Sequence, residues 1–149
     1  MLDQKDKTIL KILQQNARTS NAEIARQMGM TASAIYERVK KLEKTGTVKS
    51  YEARLEPSVL GLHLLSIVLI SLHDLAKMRD TGKVLAQFDK IQELHYIAGK
   101  GSILAKVRTS GTEDLEKLLD SINLIENVKM TETTIVLKSE KETSGLYLE

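Results

Sequence analysis

Cysteine and tryptophan are absent from this chain of 149 residues, and aromatic residues make up only 3% of it. Without cysteine it can form no disulfide, no thiolate nucleophile and no cysteine-ligated zinc site. Its core must be built from Leu, Ile, Val, Met and Ala, for which a hydrophobic fraction of 42% is ample. Because disulfides are rare in reducing compartments, the composition favours a cytoplasmic protein.

Long apolar runs are also missing. The most apolar stretch, Leu60 to Leu72, is interrupted by a glycine, a histidine and two serines, and it is shorter than a bilayer-spanning helix. The first ten residues, MLDQKDKTIL, contain no run of signal-peptide length. We therefore expect no membrane partner.

Motifs for catalysis and metal binding are missing as well. The three histidines, His63, His73 and His95, have no zinc-ligand spacing and no cysteine to join them. The chain contains no GxSxG, HExxH or phosphate-loop sequence. We expect no enzyme activity, no bound metal and no cofactor.

The charges that are present are unevenly distributed. The formal net charge is +2, but residues 1–50 carry ten Lys or Arg against five Asp or Glu, a net +5. The remaining residues carry twelve against fifteen, a net −3. A basic first third joined to a mildly acidic remainder indicates a module that binds a polyanion, attached to a second domain.

Three helices are predicted in the basic third. Residues 3–16 have apolar positions at helical spacing, and Asp3 can cap the start. Ser20 and Glu23 form a capping box that opens a second helix, which ends at Gly29. Thr31 or Ser33 caps a third helix, which stops at Gly46. Three helices with a short glycine turn between the last two are typical of a helix-turn-helix.

The segment TVKSYEARL after this helix has an extended pattern and predicts a wing. The only proline, Pro57, marks a junction between domains. We therefore divide the chain into a DNA-binding domain, a linker, a dimerisation and effector domain and a C-terminal tail, at residues 1–50, 51–62, 63–140 and 141–149.

Beyond the junction the periodicity predicts the order β-α-β-β-α-β, which is the ferredoxin-like arrangement. The expected strands and helices cover residues 64–72, 75–88, 94–98, 103–107, 112–125 and 128–137. The fold class is α+β: a winged helix-turn-helix followed by a ferredoxin-like domain.

The strand predicted at residues 64–72, LLSIVLISL, does not alternate between apolar and polar residues. Helices cover one face of a ferredoxin-like sheet, so an antiparallel strand there should alternate. Both faces of this strand need cover, which a second copy of the chain can supply. A symmetric homodimer is the commonest such assembly.

The third predicted helix has two different sides. Ile35, Val39 and Leu42 form an apolar stripe, and the opposite side is polar and basic. A solvated surface is one interpretation. The other is a recognition helix, whose small first turn can enter a major groove about 12 Å wide.

On the second interpretation, one group of side chains can reach base edges and another can neutralise phosphates. The base-edge group is Ser33, Tyr36, Glu37 and Lys40. The phosphate group is Arg38, Lys41 and Lys44.

The motifs LDQKDKTILKILQQNAR, SNAEIARQMGMTASAIYERVKKLEKTGTVKSYEARLEP, AGKGSILAKV and TETTIVLK resemble those of the leucine-responsive and asparagine-synthesis regulators, the Lrp/AsnC family. The resemblance covers nearly the whole chain. It implies a winged helix plus a ferredoxin-like (RAM-type) domain, dimers that assemble to tetramers or octamers, and binding to double-stranded promoter DNA. The expected DNA-binding positions, all at or within the third helix, are Thr31, Ser33, Ala34, Tyr36, Glu37, Arg38, Lys40, Lys41 and Lys44.

The resemblance also implies an amino-acid effector, bound at a glycine turn. The turn here is Gly99-Lys100-Gly101-Ser102, and it lacks the acidic residue that commonly holds the ligand's ammonium group in the family. Glu132 is a candidate to supply that charge from the last strand, where Thr134 is a further candidate contact. The alternative interpretation of the two glycines is a plain β-turn.

Three functions are consistent with these patterns. The first is a sequence-specific transcriptional regulator of the Lrp/AsnC type. The second is a small-molecule sensor whose DNA contacts are incidental, because a fold does not fix a function. The third is an architectural protein that organises DNA with little sequence preference.

Overall fold

A computed structural model describes residues 2–99 and 101–149. The chain divides into two compact units. Unit 1 comprises the first 54 residues together with the last eight, 142–149, and unit 2 comprises Leu55–Lys141.

Unit 1 contains three helices, α1 (Gln4–Gln15), α2 (Asn21–Met28) and α3 (Ala32–Lys44). Each begins at a side-chain cap, because Asp3, Ser20 and Thr31 each accept a hydrogen bond from a backbone N–H in the first turn. Helix α2 ends at Gly29, whose φ of 61° lies in the left-handed region that glycine adopts without strain. The caps explain why the observed boundaries agree with the expected helices.

The core of unit 1 is an aliphatic cluster at the meeting point of its helices. Its fully buried members are Ile9, Ile24 and Ile35, one from each helix. Leu148 from the end of the chain packs against this cluster and is half-buried. The C-terminal residues are therefore part of this unit's packing.

The segment after α3 differs from the expected wing. Residues 45–56 form no helix or strand. Instead the chain returns along α3: Val48 N donates to the Leu42 carbonyl at 3.1 Å, and the Tyr51 hydroxyl donates to Glu43 at 2.8 Å. A β-wing needs a second strand to pair with, and these bonds to the helix take its place.

Unit 2 is a four-stranded antiparallel sheet with two helices. Its strands are β1 (Leu64–Leu72), β2 (Ile91–Tyr96), β3 (Ile103–Thr109) and β4 (Val128–Val136), in the order β2-β3-β1-β4. The helices are α4 (Met78–Leu85), preceded by a 3-10 turn at Leu75–Lys77, and α5 (Thr112–Asn123). This is the ferredoxin-like order, and the α+β class is confirmed.

Helix α4 and strand β2 differ from their expected bounds. The expected helix at 75–88 is split because Asp74 caps a 3-10 turn by accepting from Ala76 N at 2.8 Å. Strand β2 begins three residues earlier than expected, because Ile91 already pairs with Val107. The Asp74 cap is a local contact, whereas the pairing of Ile91 depends on a residue of another strand.

The sheet has a covered face and an open face. On β1, Ser66, Val68, Ile70 and Leu72 are buried in a core that includes apolar residues of α4 and α5. The alternate residues of β1 are apolar apart from Ser71 but only half-buried. The expectation that this strand needs cover on both faces is therefore met by this unit's own helices on one face only.

Ser66 provides a test of the covered face. Its hydroxyl is fully buried, and it has no hydrogen-bond partner among the described residues. An unpaired buried hydroxyl is costly, so Ser66→Ala should raise the free energy of unfolding by about 1 kcal/mol. Urea denaturation would measure the change. The control Ser121→Ala alters an exposed hydroxyl on α5 and should shift it by less than about 0.5 kcal/mol. A destabilised Ser66→Ala variant would contradict the prediction.

Candidate nucleic-acid interface

Helix α3 has its apolar side against the rest of unit 1 and its basic side exposed. Ile35, Val39 and Leu42 are buried in the three-helix core. Six of the seven candidate base-contacting and phosphate-contacting residues are exposed: Ser33, Tyr36, Glu37, Lys40, Lys41 and Lys44. The helix is therefore held by one side while the other is open to a partner.

Charged groups on this exposed side lack ion-pair partners among residues 2–99 and 101–149. The side chains of Glu37, Lys41 and Lys44 make no hydrogen bond or ion pair with other described residues. Lys40 Nζ lies 5.6 Å from the centre of the Tyr36 ring, an attractive contact that leaves its three donors available. Unpaired lysines are suited to phosphates and to acceptors on base edges.

The N-terminal end of α3 is slim. Thr31 caps the helix by accepting from Ala34 N at 3.3 Å, and the Thr31 and Ser33 hydroxyls lie 3.2 Å apart. Thr31 and Ser33 are exposed, whereas Ala34 is half-buried. Small side chains at this end allow close approach to a groove, and the exposed hydroxyls can exchange hydrogen bonds with a base edge or a phosphate.

Arg38 is placed differently from the neighbouring lysines. Its Nη1 donates to Asp3 Oδ2 and to Asp6 Oδ1, at 2.7 Å each. Asp6 is buried, and the Arg38 side chain is only 29% exposed. The expected phosphate contact by Arg38 therefore competes with a bond that joins α3 to the start of α1.

The two aspartates are also bonded to each other. Asp3 Oδ1 accepts from Asp6 N at 2.7 Å, and Asp6 Oδ2 accepts from Asp3 N at 3.2 Å, which completes a reciprocal cap of α1. The hydrogen bond from the Asp6 backbone, followed by that from Arg38, holds the pKa of Asp3 below its ordinary value. Asp3 is therefore ionised at neutral pH, and the two bonds of Arg38 fix α1 against α3.

The glycine turn between β2 and β3 is the candidate effector site in unit 2. Gly99 and Gly101 have φ values of 138° and 81°, in the region that favours glycine. Ser102 is buried, and its N donates to the Ile70 carbonyl at 2.9 Å, which fixes the turn to β1. Lys100, the fourth candidate in this turn, lies outside the described residues.

The other two effector candidates lie across the sheet from this turn. Glu132 and Thr134 on β4 are exposed and stand opposite Leu69 and Ile67 of β1. Since β1 lies between β3 and β4, two strand spacings, roughly 10 Å, separate them from the β3 side.

No group of three or more potential metal ligands occurs among residues 2–99 and 101–149. In the same part of the chain, no helix has both the length and the apolar character needed to cross a membrane.

Known proteins match both units. Residues 2–43 match the AsnC-type helix-turn-helix domain, and residues 65–146 match the Lrp/AsnC ligand binding domain. The chain belongs to the Lrp/AsnC family. Among curated Lrp/AsnC relatives, it is 36% identical to the HTH-type transcriptional regulator FL11 of Pyrococcus horikoshii, over 97% of this chain and 95% of that protein.

Solved structures of Lrp/AsnC proteins have the same fold as this chain. Escherichia coli AsnC has a TM-score of 0.90 and 30% identity, with 97% of each chain covered. A transcriptional regulator from Neisseria meningitidis, solved as a complex with L-methionine, has a TM-score of 0.93 and 25% identity, covering 99% of this chain and 97% of that one. This Lrp/AsnC chain is therefore a transcriptional regulator with a helix-turn-helix DNA-binding domain and a ligand-binding domain.

Proposed function

We propose that α3 is the recognition helix of a sequence-specific regulator and that it enters the major groove of double-stranded DNA. The observation that carries this proposal is its exposed side, where three lysines have no anionic partner among the described residues. A surface that only needed solvation would gain from paired charges, as Arg26 and Glu23 show on α2 at 2.7 Å. The regulator would act in the cytoplasm, in contact with the chromosome.

Within this surface we assign two kinds of contact. Lys41 and Lys44 neutralise phosphates, which gives affinity without sequence information. Glu37 accepts from the amino group of a cytosine, and Lys40, supported by the Tyr36 ring, donates to a guanine. A free carboxylate on a surface that meets phosphates lowers affinity, so its presence there is best explained by base recognition.

The two kinds of lysine should give different results when replaced. Lys41→Ala should weaken binding on every sequence and reduce the slope of log K against log salt by about 0.9, the value for one lost phosphate contact. Lys40→Ala should instead reduce discrimination by about 1–3 kcal/mol at one base pair. Salt-dependent fluorescence anisotropy on the regulator's own upstream DNA, with single-base variants of the bound site, measures both quantities.

The matched control for these variants is Lys117→Ala with Lys129→Ala, which removes two exposed lysines from unit 2. It should leave the salt slope and the sequence preference unchanged. Equal losses from the control and the α3 variants would mean that net charge, and not α3, governs binding. A footprint far longer than two half-sites would instead favour the architectural function.

We propose further that the open face of the sheet is the homodimer interface. Its apolar residues are Leu65, Ile67 and Leu69 on β1 with Leu104 on β3, and no helix of this unit covers them. A symmetric dimer carries two α3 helices, which matches operators with half-sites one helical turn, or a multiple, apart. Tetramers or octamers would form from such dimers.

We also propose that an amino acid is the effector, bound by the Gly99–Ser102 turn with Glu132 or Thr134 supplied across the dimer interface. The methionine complex of the Neisseria regulator makes L-methionine the first probe. Calorimetry should show saturable binding that Glu132→Gln weakens at least tenfold, because the ligand's ammonium group loses a charged partner. Binding unaffected by Glu132→Gln would leave the glycine turn alone as the contact. No binding of any common amino acid would contradict the effector proposal without affecting the DNA assignment.

A further inference from the structure

The last residues of the chain are held on α1 by a two-point hydrogen bond. Leu146 N donates to Gln14 Oε1 at 2.6 Å, and Gln14 Nε2 donates to the Leu146 carbonyl at 3.1 Å. The amide of one side chain thereby satisfies both polar groups of one backbone residue that lies 132 positions away. Such pairing does not depend on which side chain residue 146 carries.

The side chain of Leu148 also holds this segment. Leu148 packs against the apolar core of unit 1, whereas Leu146 and Tyr147 are 76% and 88% exposed. The hydrogen bonds of Gln14 and the packing of Leu148 are local contacts. Contacts of this kind can release and re-form without unfolding the helices.

The helix that receives this segment also supports α3. Gln14 lies in the last turn of α1, and Asp6 lies in its first turn, where it is bonded to Arg38 of α3 at 2.7 Å. Arg38 is followed on α3 by the exposed lysines Lys40 and Lys41. A continuous series of described contacts thus runs from the C-terminal segment through α1 to the recognition helix.

We propose that residues 142–149 form a C-terminal strap and that Gln14 is a positioning residue for DNA recognition. The docked strap fixes α1, and α1 fixes α3 through Asp6 and Arg38. Release of the strap leaves the lysines in place but loosens the helix that presents them. This inference rests on the proposed role of α3. It assigns a role in DNA recognition to a segment that is remote in sequence from the helix-turn-helix.

The strap is tested by Gln14→Ala in the 149-residue chain and by a shortened chain that ends at Lys141. Both should raise the dissociation constant for the bound DNA about five- to tenfold, within the usual range for coupling between two sites. Both should also speed hydrogen exchange in α1 and α3 while leaving the strands of unit 2 unchanged. Gln15→Ala and Tyr147→Ala are the controls, because both side chains are exposed and neither carries a described bond to the other segment.

The Leu146 amide provides a spectroscopic signature that general loosening would not give. In the natural protein the NMR resonance of this amide proton should be shifted downfield, and the proton should exchange slowly with solvent, because the amide donates to Gln14. Gln14→Ala should abolish that signature. Gln14→Glu keeps the accepting oxygen and should retain it, and should also recover part of the DNA affinity.

The strap proposal would be overturned if Gln14→Ala and the shortened chain both kept the natural DNA affinity and the natural rate of hydrogen exchange in α1 and α3. If the shortened chain fails to fold, the Gln14 variants still decide the matter. The exchange and amide measurements need no DNA. If the natural protein bound no DNA at all, the proposed function would fail while the attachment of the strap to α1 could still be measured.

Discussion

Arg38→Ala is expected to destabilise the DNA-binding unit by about 2–3 kcal/mol. The change leaves Asp6 buried without its cationic partner, and an unpaired buried carboxylate costs far more than an exposed one. This loss of stability is smaller than that for breaking a fully buried ion pair, because 29% of the Arg38 side chain is exposed. Thermal or urea unfolding followed by circular dichroism would measure it.

Two further variants separate the charge effect from lost packing. Arg38→Ala combined with Asp6→Asn removes the unpaired charge and should recover part of the stability. Arg26→Ala is the matched control, since Arg26 makes an ion pair at the same 2.7 Å but with a side chain that is 78% exposed. Its loss should cost much less than the loss of Arg38, because solvent screens an exposed ion pair. Equal costs for the two arginines would contradict the buried-cluster assignment.

The same cluster predicts how stability responds to acid. The pKa of Asp3 is lowered in the folded protein, so its contribution is complete above about pH 4, the ordinary value for an aspartate. That contribution is lost as the pH falls through the lower folded-state pKa. The difference in stability between the natural protein and Arg38→Ala should therefore narrow in acid.

DNA binding can then separate the two roles considered for Arg38. A phosphate contact would reduce the salt slope by about 0.9 when the arginine is removed. A structural bond leaves the slope of the folded protein unchanged and lowers only the fraction that is folded. We expect the second result, because both described bonds of the guanidinium go to aspartates of the same unit.

The features that sequence predicted correctly are those set by neighbouring residues. Caps at Asp3 and Ser20, the glycine that ends α2 and the β-α-β-β-α-β order all depend on contacts within a few positions, and the structure confirms them. The apolar strand β1 also has the expected bounds, 64–72. Local propensity and spacing determine such features before any tertiary contact forms.

Most features that sequence did not predict depend on distant partners. The Arg38 guanidinium is bonded to residues 32 and 35 positions away, and the bonds between Gln14 and Leu146 span 132 positions. A basic residue on a helix gives the same sequence pattern whether it faces a phosphate or a buried aspartate. The missing wing has a closer cause, because the extended segment forms hydrogen bonds to the end of α3 in place of a strand partner.

Leu69→Lys should convert the proposed dimer to a monomer and should thereby have the largest effect on DNA binding. Leu69 is on the open face between Leu104 of β3 and Glu132 of β4. In a single copy the new lysine gains a cross-strand carboxylate, so the fold of unit 2 should survive. In a dimer the same charge would be buried in an apolar interface, where it is strongly unfavourable. Sedimentation at micromolar concentration should show the natural dimer and a monomeric variant.

The expected loss of DNA affinity follows from the loss of a second recognition helix. Two α3 helices joined in one particle bind adjacent half-sites with an effective concentration that raises affinity by about 10²–10⁴-fold, and a monomer lacks this gain. Leu124→Lys is the matched control: it makes the same chemical change at a leucine that is 85% exposed at the end of α5. That control should remain dimeric and keep its affinity. If the natural protein sediments as a monomer, or if Leu69→Lys remains dimeric, the sheet face is not the interface, and two half-sites would have to be bridged elsewhere on the chain.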